Sequence, residues 1–97
     1  NTPLNPTGTL TSWGNTFSWS GQSDATWYLL EVFTSGGVQV HRKWYTSAQA
    51  GCAGGTACSI VPPETAGLAN GDYKWHILDY GAYGYGTWSA YLGFSIP

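Results

Sequence analysis

Acid–base or metal chemistry in this 97-residue chain would depend on five carboxylates and two histidines. Hydrolysis of a glycosidic bond needs two carboxylates that face each other across a cleft. Asp24 and Asp72 instead lie beside predicted turns, where such side chains bond backbone amides. Strand alternation places His41 and His76 at solvent-facing positions with no third ligand nearby. We therefore expect no catalytic residue, no metal site and no cofactor, with Ca²⁺ binding left open only near Asp72 or Asp79.

The two cysteines, Cys52 and Cys58, are separated by a flexible spacer of alanine, glycine and threonine. Two thiols alone do not complete a tetrahedral zinc site, and the spacing is not that of a CxxC redox motif. A local disulfide is therefore predicted, and by the loop-entropy argument it would contribute roughly 2 kcal/mol. Such a bond predicts export to a secreted, extracellular or cell-surface location.

Charge excludes several partner classes. Only 8% of the residues are charged, three are basic, and the net charge is -2. Nucleic acid and anionic membrane surfaces are therefore poor partners. No apolar run approaches the roughly 18 residues that cross a bilayer, so no membrane insertion is expected. The absence of methionine and the start at Asn1 predict a processed chain or a fragment of a longer one.

Glycine and proline between short aromatic and β-branched runs favour an all-β fold, since no stretch repeats apolar residues at helical spacing. The whole chain, 1–97, is predicted to be one module, with residues 1–8 as a proline-stiffened, linker-like leading segment. About seven short strands are predicted, at residues 10–13, 16–20, 25–33, 38–45, 59–61, 74–78 and 88–96.

Several motifs follow one another in a familiar order. They are Phe17-Ser18-Trp19, the run 25–32, Leu68-x-x-Gly71-x-Tyr73-x-Trp75, and Gly86-Thr87-Trp88-Ser89 followed by Phe94. With them the chain resembles bacterial fibronectin type III modules. The resemblance implies a seven-stranded, immunoglobulin-like β-sandwich with Trp19 in its core and no enzymatic activity. It also implies that Tyr73 forms a tyrosine corner, in which the hydroxyl bonds the backbone a few residues upstream.

The chain carries more aromatic rings than one thin sandwich should bury: six Trp, seven Tyr and three Phe. Alternation sends six of them inside, namely Phe17, Trp19, Tyr28, Tyr73, Trp75 and Phe94. Ten others remain: Trp13, Trp27, Phe33, Trp44, Tyr45, Tyr80, Tyr83, Tyr85, Trp88 and Tyr91. The topology that the resemblance implies gathers several of these ten rings at one end of the sandwich.

Flat rings beside polar side chains suit the apolar C–H faces and hydroxyls of sugars. We therefore predict a carbohydrate-binding or adhesive module whose partner is a neutral polysaccharide or glycan. The predicted stacking rings are Trp27, Trp44, Tyr80, Tyr83 and Tyr85, and the predicted polar neighbours are Asp79 and His76. The alternative is a structural tandem repeat of an extracellular fibre or stalk, in which the same rings bury against neighbouring copies of the module.

Overall fold

The computed structural model describes residues 2–97, which form short β-strands joined by turns and loops. The strands of this part of the chain are β1 (Thr2–Asn5), β2 (Gly8–Thr9), β3 (Phe17–Ser20), β4 (Ala25–Thr34), β5 (Gln39–Thr46), β6 (Ala57–Ile60), β7 (Gly71–Gly81), β8 (Gly84–Tyr85) and β9 (Leu92–Ile96). Pro63–Thr65 adds one turn of 3₁₀ helix. No helix formed by the described residues has the length and apolar character that a membrane span requires.

Two sheets make the fold. The smaller has the strand order β1-β3-β6, and the larger has the order β2-β9-β7-β4-β5, with β8 paired to β7 beside this path. Strand β2 runs parallel to β9, whereas the other neighbours are antiparallel. The predicted all-β sandwich is confirmed.

The core lies between the sheets because each strand turns alternate side chains inward. Phe17 and Trp19 of the small sheet are fully buried against Tyr28 and Trp75 of the large one. Trp75 makes an edge contact with Phe17 at 5.3 Å between ring centroids. All six rings that the alternation assigned to the interior are buried, so that prediction is confirmed.

Tyr73 fixes the chain at the start of β7. Its hydroxyl donates a hydrogen bond of 2.7 Å to the carbonyl of Ala69, four residues upstream, and its ring stacks on Phe94 at 5.5 Å. A tyrosine corner makes this kind of hydrogen bond. The ring and the hydroxyl together hold the loop before β7 against the core.

The predicted disulfide between Cys52 and Cys58 is confirmed, and both residues are buried. It joins the glycine-rich loop after β5 to strand β6. The backbone N–H of Ser59 also donates to the carbonyl of Ala50 at 3.0 Å. The loop is therefore held to the sandwich by a covalent bond and by main-chain hydrogen bonds.

The N-terminal part of the chain differs from the prediction. Residues 1–8 were expected to be a linker, but Thr2–Asn5 pairs with β3 and Gly8–Thr9 pairs with β9; Asn1 lies outside the described residues. An edge strand tolerates Pro3 because the missing N–H is not needed on the open side. The strand expected at 10–13 is irregular, and Trp13 there stacks on the core ring Phe94 at 5.2 Å.

Candidate functional site

The outer face of the large sheet carries most of the surplus rings. Alternation along β4 turns Trp27 and Leu29 outward, away from the core. In the strand register Trp27 lies opposite Tyr80 of β7, while Leu29 lies between Trp44 of β5 and Leu78 of β7. Leu29 and Leu78 are buried although they point away from the core. Side chains and loops therefore cover much of this face.

Four rings form an open pocket at one end of this face. Trp27, Trp44, Tyr80 and Tyr85 line a volume of about 340 Å³, and we call it the four-ring pocket. Trp27 is 41% exposed, Tyr80 38% and Tyr85 68%, so their surfaces are accessible from solvent. A pocket of this volume falls within the range of small-molecule sites.

A tight hairpin brings Tyr85 to the pocket. Strand β8 folds back on the end of β7 so that Tyr85 pairs with Tyr80, and Gly84 has a left-handed backbone with φ of 89°. The two phenol rings meet at 4.8 Å with planes 61° apart. Tyr85 also lies 6.3 Å from the Trp44 ring, with planes 48° apart. The hairpin therefore supplies a tilted wall between the rings of β5 and β7.

Three predicted site residues do not line the pocket. Tyr83 lies at the tip of the hairpin and is 90% exposed. Asp79 is opposite Tyr28 on the inner face, and its carboxylate lies against Gly86. His76 is on the outer face but further along β7. Of the residues predicted to bind ligand, the structure brings together four rings and neither polar neighbour.

His76 belongs to a second cluster of rings, and its predicted solvent exposure is wrong. The imidazole is stacked between the rings of Trp88 and Tyr91. Its centroid lies 3.8 Å from the Trp88 ring, with planes 12° apart, and 4.3 Å from the Tyr91 ring, with planes 11° apart. Its Nε2 lies 2.7 Å from Glu31 Oε1, and Arg42 Nε donates to the other oxygen of that carboxylate at 3.0 Å. These contacts leave His76 7% exposed, although alternation places it correctly on the outer face.

The segment that covers His76 was expected to be part of the last strand. That strand was predicted over 88–96, but β9 begins at Leu92, and the chain before it lies irregularly on the sheet. A signal was present, because Trp88 and Tyr91 are three residues apart and therefore break the period of two that a half-buried strand requires. The sequence analysis therefore missed this covering segment.

His41 is buried as well, on the inner face, and not exposed as predicted. Its Nε2 lies 3.1 Å from the hydroxyl of Tyr45. Burial lowers the pKa of His41, Glu64 opposes this effect, and Lys43 adds to it. Burial also raises the pKa of Tyr45 to about 12. On the core-facing side of β5, burial therefore favours the uncharged forms of the His41 imidazole and the Tyr45 phenol.

The lowered pKa of His41 predicts that acid destabilises the fold. Above the ordinary pKa of 6.5 both states hold a neutral imidazole, whereas below it the unfolded chain takes up a proton that the folded chain resists. The free energy of unfolding should therefore fall as the pH drops from 6.5 towards the lowered pKa. Urea unfolding at about pH 7.5 and about pH 5 measures this loss. It should shrink in His41→Gln, and an unchanged loss in that variant would contradict the assignment.

Comparison with known proteins finds a similar fold in a solved structure. No protein-family model matches the chain, and no curated protein matches its sequence. The structure is similar to that of CopC from Methylosinus trichosporium OB3b, with a TM-score of 0.66, covering 98% of this chain and 91% of that chain. The two sequences are 12% identical, and at this level the likeness supports the β-sandwich and leaves the ligand of this chain to its own residues.

The comparison corrects the predicted function and partners. The similar solved structure is that of CopC and not of a carbohydrate-binding or adhesive module, so the comparison gives no support to the predicted function and partners. The geometry supplies a physical reason, since recognition of sugar hydroxyls requires polar side chains beside the rings, and Asp79 and His76 are directed elsewhere. Polysaccharide, neighbouring copies and a fibre or stalk repeat are therefore not retained.

The donor set of this chain does not fit copper. Within residues 2–97 no three His, Cys, Asp or Glu side chains come together, and both cysteines are in the disulfide. His41 pairs with Val32 on the inner face, whereas His76 pairs with Glu31 on the outer face, so the sheet separates the two imidazoles. Cu ions prefer clustered imidazole or sulfur ligands. The chain also contains no methionine, so no thioether is available.

Proposed function

We propose that this chain is a non-catalytic binding module whose four-ring pocket takes one small organic ligand. The observation that carries the proposal is the convergence of rings from β4, β5, β7 and β8 on one open pocket. Binding sites are commonly concave and apolar, and soluble proteins seldom expose a large apolar patch without a use. The pocket is also positioned by regular strands, which hold side chains more rigidly than loops do.

A binding role agrees with the state of the acidic side chains. Glu31 is held by Arg42 and His76, and Asp72 accepts a hydrogen bond of 2.6 Å from the hydroxyl of Ser95. A carboxylate that stabilises a cation or a hydroxyl within the fold is poorly suited to act as a general acid or base on a substrate. The proposed role is therefore recognition without turnover.

The proposed setting is outside the cytoplasm, where the disulfide between Cys52 and Cys58 would persist. We also propose that the sandwich is of the fibronectin type III kind. The hydrogen bond from Tyr73 to Ala69 supports this assignment.

The pocket can be tested with organic fragments of different charge. We expect some neutral, cationic or anionic fragments to shift the indole N–H signals of Trp27 and Trp44 in spectra of the ¹⁵N-labelled protein. Trp44→Ala removes one wall and should weaken that binding by about tenfold or more. Tyr83→Ala changes an exposed ring on the same hairpin outside the pocket, so its affinity should stay within about twofold of the parent. Indole signals that no fragment moves would rule the proposal out.

A further inference from the structure

The walls of the four-ring pocket determine the shape of group that fits. Tyr80 and Tyr85 are inclined by 61°, and Trp44 and Tyr85 by 48°, so neither pair forms the parallel slot that a flat ligand enters. Tilted rings form a cup instead, and a cup suits a rounded group that touches several ring faces at once. The face of an aromatic ring carries negative charge density, which attracts cations.

The charges around the pocket also favour a cation. None of the three basic side chains lines it: Arg42 is paired with Glu31, Lys43 lies 3.4 Å from Glu64, and the third is Lys74, whose Nζ is 4.7 Å from the Tyr91 ring. The chain as a whole has a net charge of -2. A bound cation would therefore meet no repulsive side chain on the pocket wall.

Two carboxylates lie at this end of the sandwich. Tyr28 follows Trp27 in β4 and pairs with Asp79, which precedes Tyr80 in β7. Burial raises the pKa of the Tyr28 hydroxyl, a hydrogen bond with the Gln22 backbone opposes this effect, and the negative charges of Asp79 and Asp24 raise the pKa further. Both carboxylates therefore lie at the same end of the large sheet as the four rings, and no basic side chain lines the pocket.

The few hydrogen-bond acceptors on the wall favour one class of cation over another, because the only side-chain acceptors among its residues are the hydroxyls of Tyr80 and Tyr85. A primary ammonium carries three N–H donors, and the two phenol hydroxyls of the wall can replace at most part of the hydrogen bonds to water that it loses. A quaternary ammonium has no N–H to satisfy, and its methyl groups make apolar contact with the rings. From these observations we infer that the four-ring pocket binds a quaternary ammonium group, an inference that rests on the proposed binding function.

The test compares choline with 3,3-dimethylbutan-1-ol, which has the same shape but a neutral carbon in place of nitrogen. By calorimetry or indole N–H shifts at constant ionic strength, choline should bind about tenfold or more tightly than this neutral analogue and than ethanolamine. Tyr83→Ala, which changes a ring outside the pocket, should bind choline like the parent. Tyr85→Ala removes an exposed ring and should lower affinity about fivefold or more.

The outcomes separate the two proposals. Equal affinity for choline and its neutral analogue would overturn the cation inference and leave the binding function standing. Absence of binding by choline, its analogue and every fragment would overturn both. A peptide carrying trimethyllysine is measured in parallel: tighter binding than choline would assign the ammonium to a polypeptide, and equal or weaker binding would assign it to a free small molecule.

Discussion

Replacing Trp75 with alanine should lower the free energy of unfolding by about 3–5 kcal/mol, enough to unfold much of a small domain. The side chain is fully buried, and its ring contacts Phe17 and Trp19 at 5.3 and 6.4 Å. The indole N–H also donates to the Pro6 carbonyl at 3.0 Å. Removal would leave a cavity between the sheets and release the chain that joins β1 to β2. Urea unfolding followed by circular dichroism measures the loss.

A matched pair of phenylalanine variants isolates the hydrogen bond. Trp75→Phe leaves the Pro6 carbonyl without its donor, whereas Trp19→Phe removes an indole N–H that has no partner among the described residues. Both positions are fully buried and lose the same group. Trp75→Phe should therefore lower the free energy of unfolding by about 1 kcal/mol more than Trp19→Phe does. Equal losses in the free energy of unfolding, or a greater loss for Trp19→Phe, would show that the hydrogen bond to Pro6 adds no measurable stability.

The core could be predicted because a strand has a side-chain period of two. Once Tyr28 is placed inside, Leu30 and Val32 must follow it, and Trp27 and Leu29 must point outward. The gathering of the four pocket rings was predicted by a different means, from the topology that the fibronectin type III resemblance implies. Tyr83 differs because it lies in the hairpin turn, where backbone dihedral angles and not alternation set the direction of a side chain.

The covering of the outer face could not be predicted by the same means. Alternation gives the face on which His76 lies, but burial depends on whether another segment returns to that face. Trp88 and Tyr91 do so from the segment before β9, and no local pattern specifies their partner. The pairing of Gly8–Thr9 with β9 is also non-local, and a strand of two residues has no period to detect.

The fold does not determine the ligand, for a similar reason. A sandwich fixes where side chains can be placed, but the identity of those side chains decides the chemistry. The likeness to CopC accompanies a sequence identity of 12%, and the residues here place the two histidines on opposite faces of one sheet. The same sheet presents four aromatic rings at one end. Backbone similarity to CopC is therefore compatible with the organic ligand that we propose for this chain.

Gly81→Ala should damage both stability and the pocket. A methyl group at this position would overlap the backbone carbonyl of Asp24 and approach Ala25 Cα to 3.1 Å, so β7 and β4 would have to separate. Backbone cannot yield as a flexible side chain does, and we expect a loss of about 1–3 kcal/mol. Gly81 follows Tyr80 and begins the hairpin to Tyr85, so the displaced walls should also lose ligand affinity.

Gly67→Ala is the matched control, because a methyl group there meets no atom within 4 Å and the backbone is not left-handed. Its free energy of unfolding should stay within about 0.5 kcal/mol of the parent, as for a surface substitution. Urea unfolding gives both values, and the indole N–H signals of Trp27 and Trp44 show whether the pocket has changed. If Gly81→Ala matched the control in stability and kept those signals in place, β4 and β7 would not be as close there as the structure requires. The shape of the pocket would then not depend on the close backbone contact between Gly81 and residues 24–25.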